Sequence, residues 1–296
     1  MPPQSVPEAT LRAAIAKLGL PPTAEHTLDG LQTIFLAWCR GTGSDSLGLA
    51  LRSMPENFRA MSGFPAENYF KRWLAFGLSD FCFANAEALL ALLQHYEFAA
   101  VRVIGSMGSN ARHGSVVVRI DGDDYLVDPT FLAEQPLLLR DGERTTAGEG
   151  PLRVWAGGDG TVKWQMPQGR FNATFKIERI GCDFDAFLEC EEEVLPGQVH
   201  PRARMYKLAR MYKDRLFIRR NVDGGTRTYD NGSVVVKTGR QLKVSKVGRE
   251  EFAELLCSDF GIAPEAVRMI PDSYFPGSVR DTADEERVPL VKESPL

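Results

Sequence analysis

Three side chains of this chain have the types that cysteine nucleophilic catalysis requires: Cys82, His113 and Asp128. A cysteine reacts as its thiolate, a histidine can hold the proton that the thiol gives up, and an aspartate can fix the imidazole tautomer. The three residue types in this order therefore predict chemistry on an acyl group. Taken singly, each of them more often has a structural role, as a core thiol, an exposed strand-end histidine or a turn aspartate.

The residues around Cys82 predict that it lies at a helix N-terminus. The preceding segment 77–80 (Gly-Leu-Ser-Asp) is typical of a turn and a helix start, and an apolar stripe follows as far as Tyr96. At a helix start, free N–H groups and the helix macrodipole stabilise a thiolate. The backbone N–H groups of Cys82 and Phe83 are the expected oxyanion donors.

A predicted hairpin brings His113 and Asp128 together. Asp-Gly at 121–122 is a type I′ turn signal between two alternating strands. A two-residue loop there makes Asp128 the partner of Ser115 and the diagonal neighbour of His113, with Cβ atoms ~7 Å apart or less. A shift of one residue would place Asp128 opposite Val117, too far from His113. The turn chemistry therefore predicts a hydrogen bond between imidazole and carboxylate.

The pattern of Cys82, His113 and Asp128 resembles the arylamine N-acetyltransferase family. Two later stretches are similar as well, since residues 226–232 resemble the family's late hairpin and residues 252–262 its closing helix. The resemblance implies a helical bundle, a β-barrel and an α/β lid, with the triad where the first two lobes meet. It also implies that an acyl group passes from coenzyme A to the cysteine and then to an amine.

The stretch around Cys82 departs from the usual family motif, Arg-Gly-Gly-x-Cys-x-Glu-x-Asn. Residues 78–80 (Leu-Ser-Asp) stand in place of Arg-Gly-Gly, and Ala84 and Ala86 replace the Glu and the Asn. In the family the Arg and the Glu form polar support around the active site. The departures predict a divergent member with an unusual acyl donor or amine.

Three functions stay open on this basis. The first is an N-acyltransferase that moves an acyl group from a thioester donor, either acyl-CoA or the phosphopantetheine thioester of an acyl-carrier protein, through Cys82 to a small-molecule amine. The second is a transglutaminase-like amide hydrolase or peptidase, because His113-Gly114 and residues 127–130 (Val-Asp-Pro-Thr) are also similar to those enzymes. The third is a non-catalytic relative that binds acyl-CoA or a protein, because most of the motif is replaced.

The rest of the chain predicts three lobes and a tail. Helical spacing predominates in residues 1–97, an alternation with a period of two in 98–200, and a mixed pattern in 201–280, before a charged tail at 281–296. With the layout that the resemblance implies, the fold class is α+β. An N-terminal helical bundle carries the cysteine, a central antiparallel β-barrel carries the histidine and the aspartate, and a C-terminal α/β lid follows.

Other charged stretches have simpler interpretations. Eight basic residues between 202 and 220 are interpreted as a solvated helix face, with coenzyme A phosphate or an acidic carrier protein as alternative ligands. The acidic residues at 189–193 are interpreted as a solvated loop rather than a metal site. Cys39 is interpreted as a core residue.

The composition excludes several classes of protein. The chain has 296 residues, 44% of them hydrophobic and 25% charged, and a net charge of −4. This is a globular composition without the basic excess of a nucleic-acid-binding protein. Five cysteines without a Cys-x-x-Cys pair and four scattered histidines argue against a disulfide framework and a metal site. Since no leader and no apolar stretch of ~18 residues is present, we expect a reduced cytoplasmic protein with no membrane or nucleic-acid partner and no permanently bound cofactor.

Overall fold

The elements of this chain form two antiparallel sheets with helices packed against them, a mixed α+β arrangement. The structure is a computed structural model. It describes residues 6–47, 65–107, 111–146, 153–165, 172–194, 216–230, 232–239, 241–270, 272 and 275. Those ranges contain seven helices: α1 (Glu8–Lys17), α2 (Leu28–Gly41), α3 (Ala66–Phe76), α4 (Cys82–His95), α5 (Phe184–Val194), α6 (Arg249–Ser258) and α7 (Pro264–Met269).

Apolar stripes at helical spacing account for the N-terminal helices. In α2 the side chains of Ile34, Phe35 and Trp38 recur on one face and are buried, and Thr27 caps the helix by accepting a backbone hydrogen bond. In α4, Leu89 and Leu93 form part of a similar stripe. Helix α4 begins and ends close to the bounds that the sequence predicts.

The larger sheet carries His113 and leads directly to Asp128. Its strands are β2 (Ala99–Met107), β3 (Ala111–Ile120), β4 (Asp123–Val127), β5 (Leu137–Leu138), β6 (Arg144–Thr146), β7 (Arg153–Ala156), β8 (Thr161–Gln165) and β9 (Asn172–Cys182). They are ordered β5-β4-β3-β2-β9-β8-β7-β6 and every neighbouring pair is antiparallel. Strand β5 at one end contacts β6 and β7 at the other, so the sheet is curled. The antiparallel arrangement predicted for this region is confirmed.

The second sheet combines a short N-terminal strand with the C-terminal part of the chain. Its strands are β1 (Ser44–Asp45), β10 (Phe217–Val222), β11 (Gly225–Asp230), β12 (Ser233–Thr238) and β13 (Gln241–Lys246), in that order. The predicted hairpin between β11 and β12 is confirmed, with Asp230 opposite Ser233. Strand β1 was not predicted, because two residues carry no periodic signal. The division into lobes at 97, 200 and 280 stays a prediction.

Two interpretations of charged stretches are wrong. The residues at 189–193 belong to helix α5 rather than to a loop, because Asp183 accepts a hydrogen bond at its first turn and Phe187 is fully buried. Arg219 and Arg220, at the end of the basic run, lie on strand β10 rather than on a helix, and Arg219 is buried. These residues form a strand because their backbone pairs with β1 and β11, and the pattern of charges in the sequence does not indicate this pairing.

The rest of the basic run (202–215), His200 and the predicted tail (281–296) lie outside the described residues. In the described part of the chain, no helix has both the length and the apolar character that a membrane span needs. The predicted cytoplasmic location stays a prediction.

Candidate active site

Cys82 is the first residue of helix α4, and its side chain is buried. The N-cap residue is Phe81, whose side chain offers no acceptor to the N–H groups of the first turn. The partial positive charge of that turn is therefore not neutralised by its cap, and it can stabilise a thiolate at Cys82. The N–H groups of Cys82 and Phe83, the predicted oxyanion donors, belong to this turn.

The β3–β4 hairpin has the register that its turn predicts. Asp121 and Gly122 have φ angles of 52° and 87°, so both central residues are in the left-handed region that a type I′ turn requires. The first pair after the turn is Ile120 with Asp123, and β4 ends one residue before Asp128.

This register brings the two predicted polar partners into contact. The Nε2 atom of His113 lies 2.6 Å from Oδ2 of Asp128, and both side chains are buried. With a carboxylate as acceptor, Nε2–H is the donor. The other ring nitrogen, Nδ1, then faces away from Asp128 and is available to the Cys82 thiol, whose charge raises the pKa of His113.

The carboxylate of Asp128 is fixed by its own loop. Its second oxygen, Oδ1, accepts hydrogen bonds from the backbone N–H groups of Thr130 at 3.0 Å and Phe131 at 2.9 Å. An aspartate readily forms such a turn with the backbone that follows it. Oδ2 is thereby directed at His113, and the sequence Asp-Pro-Thr-Phe encodes this orientation locally.

Electrostatics favours the imidazolium form of His113. Burial lowers the pKa of His113, but the negative charges of Asp128 and Cys82, together with the hydrogen bond to Asp128, outweigh it and raise that pKa to about 10. At neutral pH the arrangement is therefore a protonated histidine between two groups that can be negative. This is the charge distribution of an activated cysteine.

Aromatic rings enclose His113 on the sheet side. The centroids of the Phe175, Phe131 and Trp164 rings lie 5.0, 5.5 and 6.3 Å from the imidazole. Phe131 and Trp164 are themselves stacked at 4.1 Å. Sequence reasoning missed these residues, because nothing in the strand pattern distinguishes them from other core aromatics.

Gly114 makes room for a second aromatic pair beneath the histidine. Phe83, the residue after the cysteine, packs against Phe187 of α5 with ring centroids 4.9 Å apart. A Cβ atom at position 114 would lie 2.7 Å from Phe187 and 2.8 Å from Phe83. Packing therefore explains the glycine after His113, because a larger residue there would keep helices α4 and α5 from approaching β3.

A second buried polar group, which we name the support cluster, consists of Arg72, Asp80 and Asp45. Arg72 of α3 is fully buried, and its Nη2 lies 2.8 Å from Oδ2 of Asp80. Asp45 of β1 accepts a 2.8 Å hydrogen bond from the Ser79 N–H. Burial and the neighbouring charge of Asp80 raise the pKa of Asp45 to about 7, although Arg72 acts in the opposite direction. The support cluster thus surrounds the segment that leads to Cys82.

Asn85 completes the attachment of that segment. Its Oδ1 accepts a hydrogen bond from the Asp80 N–H at 3.3 Å, and its Nδ2 donates to the Asp80 carbonyl at 2.8 Å and to the Gly43 carbonyl at 3.3 Å. The Ser79 hydroxyl accepts from the Gly43 N–H at 2.9 Å. Polar support near Cys82 therefore exists despite the altered motif, but most of it comes from α3 and from the segment around β1. Sequence reasoning missed Arg72 and Asp45, because neither is close to Cys82 in the chain.

Two other predictions concern Cys39 and the absence of a metal site. Cys39 is fully buried, as predicted, and burial raises the pKa of its thiol well above the usual value. Among the described residues, no group of three or more His, Cys, Asp or Glu side chains is placed to hold a metal ion.

Comparison with solved structures identifies the fold as that of the arylamine N-acetyltransferases. The Mycobacterium marinum enzyme in complex with CoA matches with a TM-score of 0.70 at 15% identity, over 90% of this chain and 100% of that one. The enzyme from Mycobacterium abscessus matches with a TM-score of 0.66 at 18% identity, over 88% of this chain and 93% of that one. The resemblance predicted from the sequence is confirmed at the level of the fold.

A third neighbour has a glutamate in its catalytic triad. The Bacillus cereus arylamine N-acetyltransferase with a Cys-His-Glu catalytic triad matches with a TM-score of 0.66 at 15% identity, over 86% of this chain and 98% of that one. No family model matches this chain. No curated protein matches it either.

Proposed function

We propose that this protein is an N-acyltransferase that forms an amide through an acyl-enzyme on Cys82. The observation that carries the proposal is the 2.6 Å contact between His113 and Asp128, on an imidazole whose pKa the neighbouring Cys82 also raises. The likeness to arylamine N-acetyltransferases supports the reaction class, and the CoA complex of one of them supports an acyl-CoA donor.

In the first step the Cys82 thiolate attacks the carbonyl carbon of the thioester. The carbon–sulfur bond of the donor breaks, and the leaving thiolate takes the proton that the His113 imidazolium holds. Asp128 keeps the imidazole in one tautomer and orientation. The backbone N–H groups of Cys82 and Phe83 stabilise the oxyanion of the tetrahedral intermediate.

In the second step a small-molecule amine attacks the acyl-enzyme. Neutral His113 takes a proton from the attacking nitrogen, the new carbon–nitrogen bond forms, and the Cys82 thiolate leaves. The histidine is then again an imidazolium beside a thiolate. Each half-reaction begins and ends with charges that the site already accommodates.

We also propose a wider layout and a class of donor. The cysteine comes from a helical bundle, the histidine and the aspartate from a β-barrel, and residues 201–280 form an α/β lid. The donor is a coenzyme A thioester or the phosphopantetheine thioester of a carrier protein, and neither is held permanently. The protein acts in the cytoplasm.

Mass spectrometry of the intact protein tests the acyl-enzyme. We expect mixing with acetyl-CoA, longer acyl-CoA esters or S-acyl-N-acetylcysteamine, a small analogue of the carrier thioester, to add one acyl mass to the wild type. The adduct should map to Cys82 and be absent from Cys82→Ala. The matched control is Cys257→Ala, because Cys257 is more exposed than Cys82 but has no histidine partner in the described residues.

The outcome that contradicts the proposal is a wild type that no donor labels more than Cys82→Ala. Adding an arylamine or alkylamine to the labelled protein should release the acyl group as an amide. Release at the same rate without an amine would assign hydrolysis instead of transfer.

A further inference from the structure

Arg219 is a buried cation without a hydrogen-bond partner for two of its nitrogens. The residue is only 7% exposed, and within the described part of the chain neither Nε nor Nη2 has a partner. Its neighbour Arg220, on the opposite face of β10, donates to the carbonyl of Gly41 at 3.1 Å. An isolated buried charge is costly, so the position of Arg219 requires a compensating anion.

The face of β10 that carries Arg219 packs against the loop that follows Asp128. Asn221, two residues along on the same face, donates to the Leu132 carbonyl at 2.8 Å and to Glu134 Oε1 at 3.0 Å. Leu132 and Glu134 both have positive φ, 54° and 61°, which is strained for side chains of this kind. The contacts from β10 therefore hold a strained loop in place, and this loop begins at the triad aspartate.

Two groups influence the charge of Arg219 electrostatically, Cys39 of α2 and Asp128. Burial lowers the pKa of Arg219 to about 10, so the guanidinium still carries its charge at neutral pH. The Cys39 thiol is neutral there, because burial raises its pKa well above the usual value. Of the two groups, Asp128 is thus the one that is charged, and the contacts of Asn221 hold the loop that begins at Asp128 against the same face of β10.

The charge of Arg219 balances the net charge of the three candidate catalytic side chains. The thiolate of Cys82, the imidazolium of His113 and the carboxylate of Asp128 add up to one net negative charge in a buried site. Adding the guanidinium of Arg219 brings the sum to zero. Without that cation, the site could lose its net charge only by protonating the thiolate or the carboxylate.

We infer that Arg219 is a positioning residue that extends the triad into a chain of four alternating charges, Cys82, His113, Asp128 and Arg219. It acts through Asp128 and touches no reacting atom. The inference rests on the proposed function for its consequence in acyl transfer. The inference also predicts that Arg219 increases the fraction of Cys82 present as thiolate, and this effect can be tested without an acyl donor.

The test is the pH dependence of Cys82 alkylation by iodoacetamide, followed by intact mass in the full chain. Arg219→Met keeps the aliphatic stem and removes the charge. We expect its rate at pH 7 to fall about tenfold, which corresponds to a shift of about one pH unit in the profile. Arg219→Lys keeps the charge and should keep the wild-type profile. The matched control is Arg220→Met, which removes a cation from the other face and should also leave the profile unchanged.

A double variant separates this role from a merely structural one. In an Asp128→Asn background, Arg219→Met should cause no further slowing, because the anion through which Arg219 acts is gone. Circular dichroism shows whether each variant folds, and Arg219→Gln replaces the methionine variant if the latter does not. A folded Arg219→Met or Arg219→Gln with the wild-type pH profile overturns the inference, and so does a folded Arg219→Lys with a shifted profile. If no acyl donor labels the wild type while these alkylation shifts occur, the proposed function fails and the role of Arg219 stands.

Discussion

The two buried polar groups near Cys82 are built in different ways. His113 and Asp128 come from one hairpin and are 15 residues apart in the chain. The support cluster takes Arg72 from α3, Asp80 from the segment before α4, and Asp45 from β1. A short turn specifies the first group, whereas the second exists only when three separate elements have packed. Neighbouring residues in the chain therefore determine the contact between His113 and Asp128, whereas the support cluster depends on tertiary packing.

The electrostatics of the two groups also differ. In the triad, the charges alternate around His113, and the result favours the charged imidazole. In the support cluster, two carboxyl groups share one guanidinium, so burial and repulsion favour a protonated Asp45. The first arrangement keeps a charged imidazole close to Cys82. The second leaves one acid that can gain or lose its proton close to neutral pH.

Removing the cation of the support cluster should have the largest effect on stability. In Arg72→Met, Asp80 loses its buried partner, and we expect the free energy of unfolding to fall by about 3–5 kcal/mol. Chemical denaturation followed by circular dichroism measures this change. Lys71→Met is the matched control, because Lys71 is next in the same helix and makes an exposed ion pair with Glu67. Its expected change is about 0.5 kcal/mol or less. Similar losses for the two variants would contradict the assigned role of Arg72.

The pH dependence of stability should separate the two groups by their windows. The pKa of Asp45 is about 7 in the folded protein, above its unfolded value, so the native state binds this proton more tightly. Its contribution to stability is complete below the unfolded pKa and is lost as pH rises toward 7. We expect a slope of up to about 1.4 kcal/mol per pH unit in this window. Measuring unfolding from pH 4.5 to 7 should show a flatter curve for Asp45→Asn than for the wild type.

His113 supplies the comparison within the same experiment. Its folded pKa of about 10 is also above the unfolded value, so its contribution is present below about pH 6.5 and is lost as pH rises through 10. His113→Gln should therefore flatten the stability curve only above pH 6.5. If both variants changed the curve in the same window, the two groups would be coupled rather than separate.

The turn of the β3–β4 hairpin should show the smallest effect. Gly122 has a φ of 87°, and a Cβ atom there would meet no other group within 4 Å, so backbone strain alone decides the outcome. We expect Gly122→Ala to lower the free energy of unfolding by about 1–2 kcal/mol. Gly122→Asn should cost less, because asparagine tolerates the left-handed region. Equal costs for the two variants, measured by denaturation, would show that strain in the left-handed region does not decide the stability of this turn.

Much of the candidate site could be predicted from the sequence because its information is local. The Asp-Gly turn determines the register of the hairpin, and the Asp-Pro-Thr-Phe stretch directs the carboxylate of Asp128. The helix start at Cys82 follows from the turn residues before it and the apolar stripe after it. What could not be predicted is the packing around these groups: the aromatic rings near His113, the helix at 184–194, and the buried cations Arg72 and Arg219. The residues that contact these groups are distant in the chain, and such contacts cannot be predicted from a single sequence.

The sequence by itself determined which three side chains are chemically suited to one another, because turn type and strand alternation act over a few residues. Tertiary structure decided what surrounds them. Strand β10 could bury an arginine against the loop that follows Asp128 only after pairing with β1 and β11, and Arg72 could compensate Asp80 only after α3 had packed against α4. From the sequence alone, a charged residue is predicted to be exposed to solvent, and only the fold shows that it is buried. The physical reason is that desolvation depends on every neighbouring element at once, whereas a turn depends on its own residues.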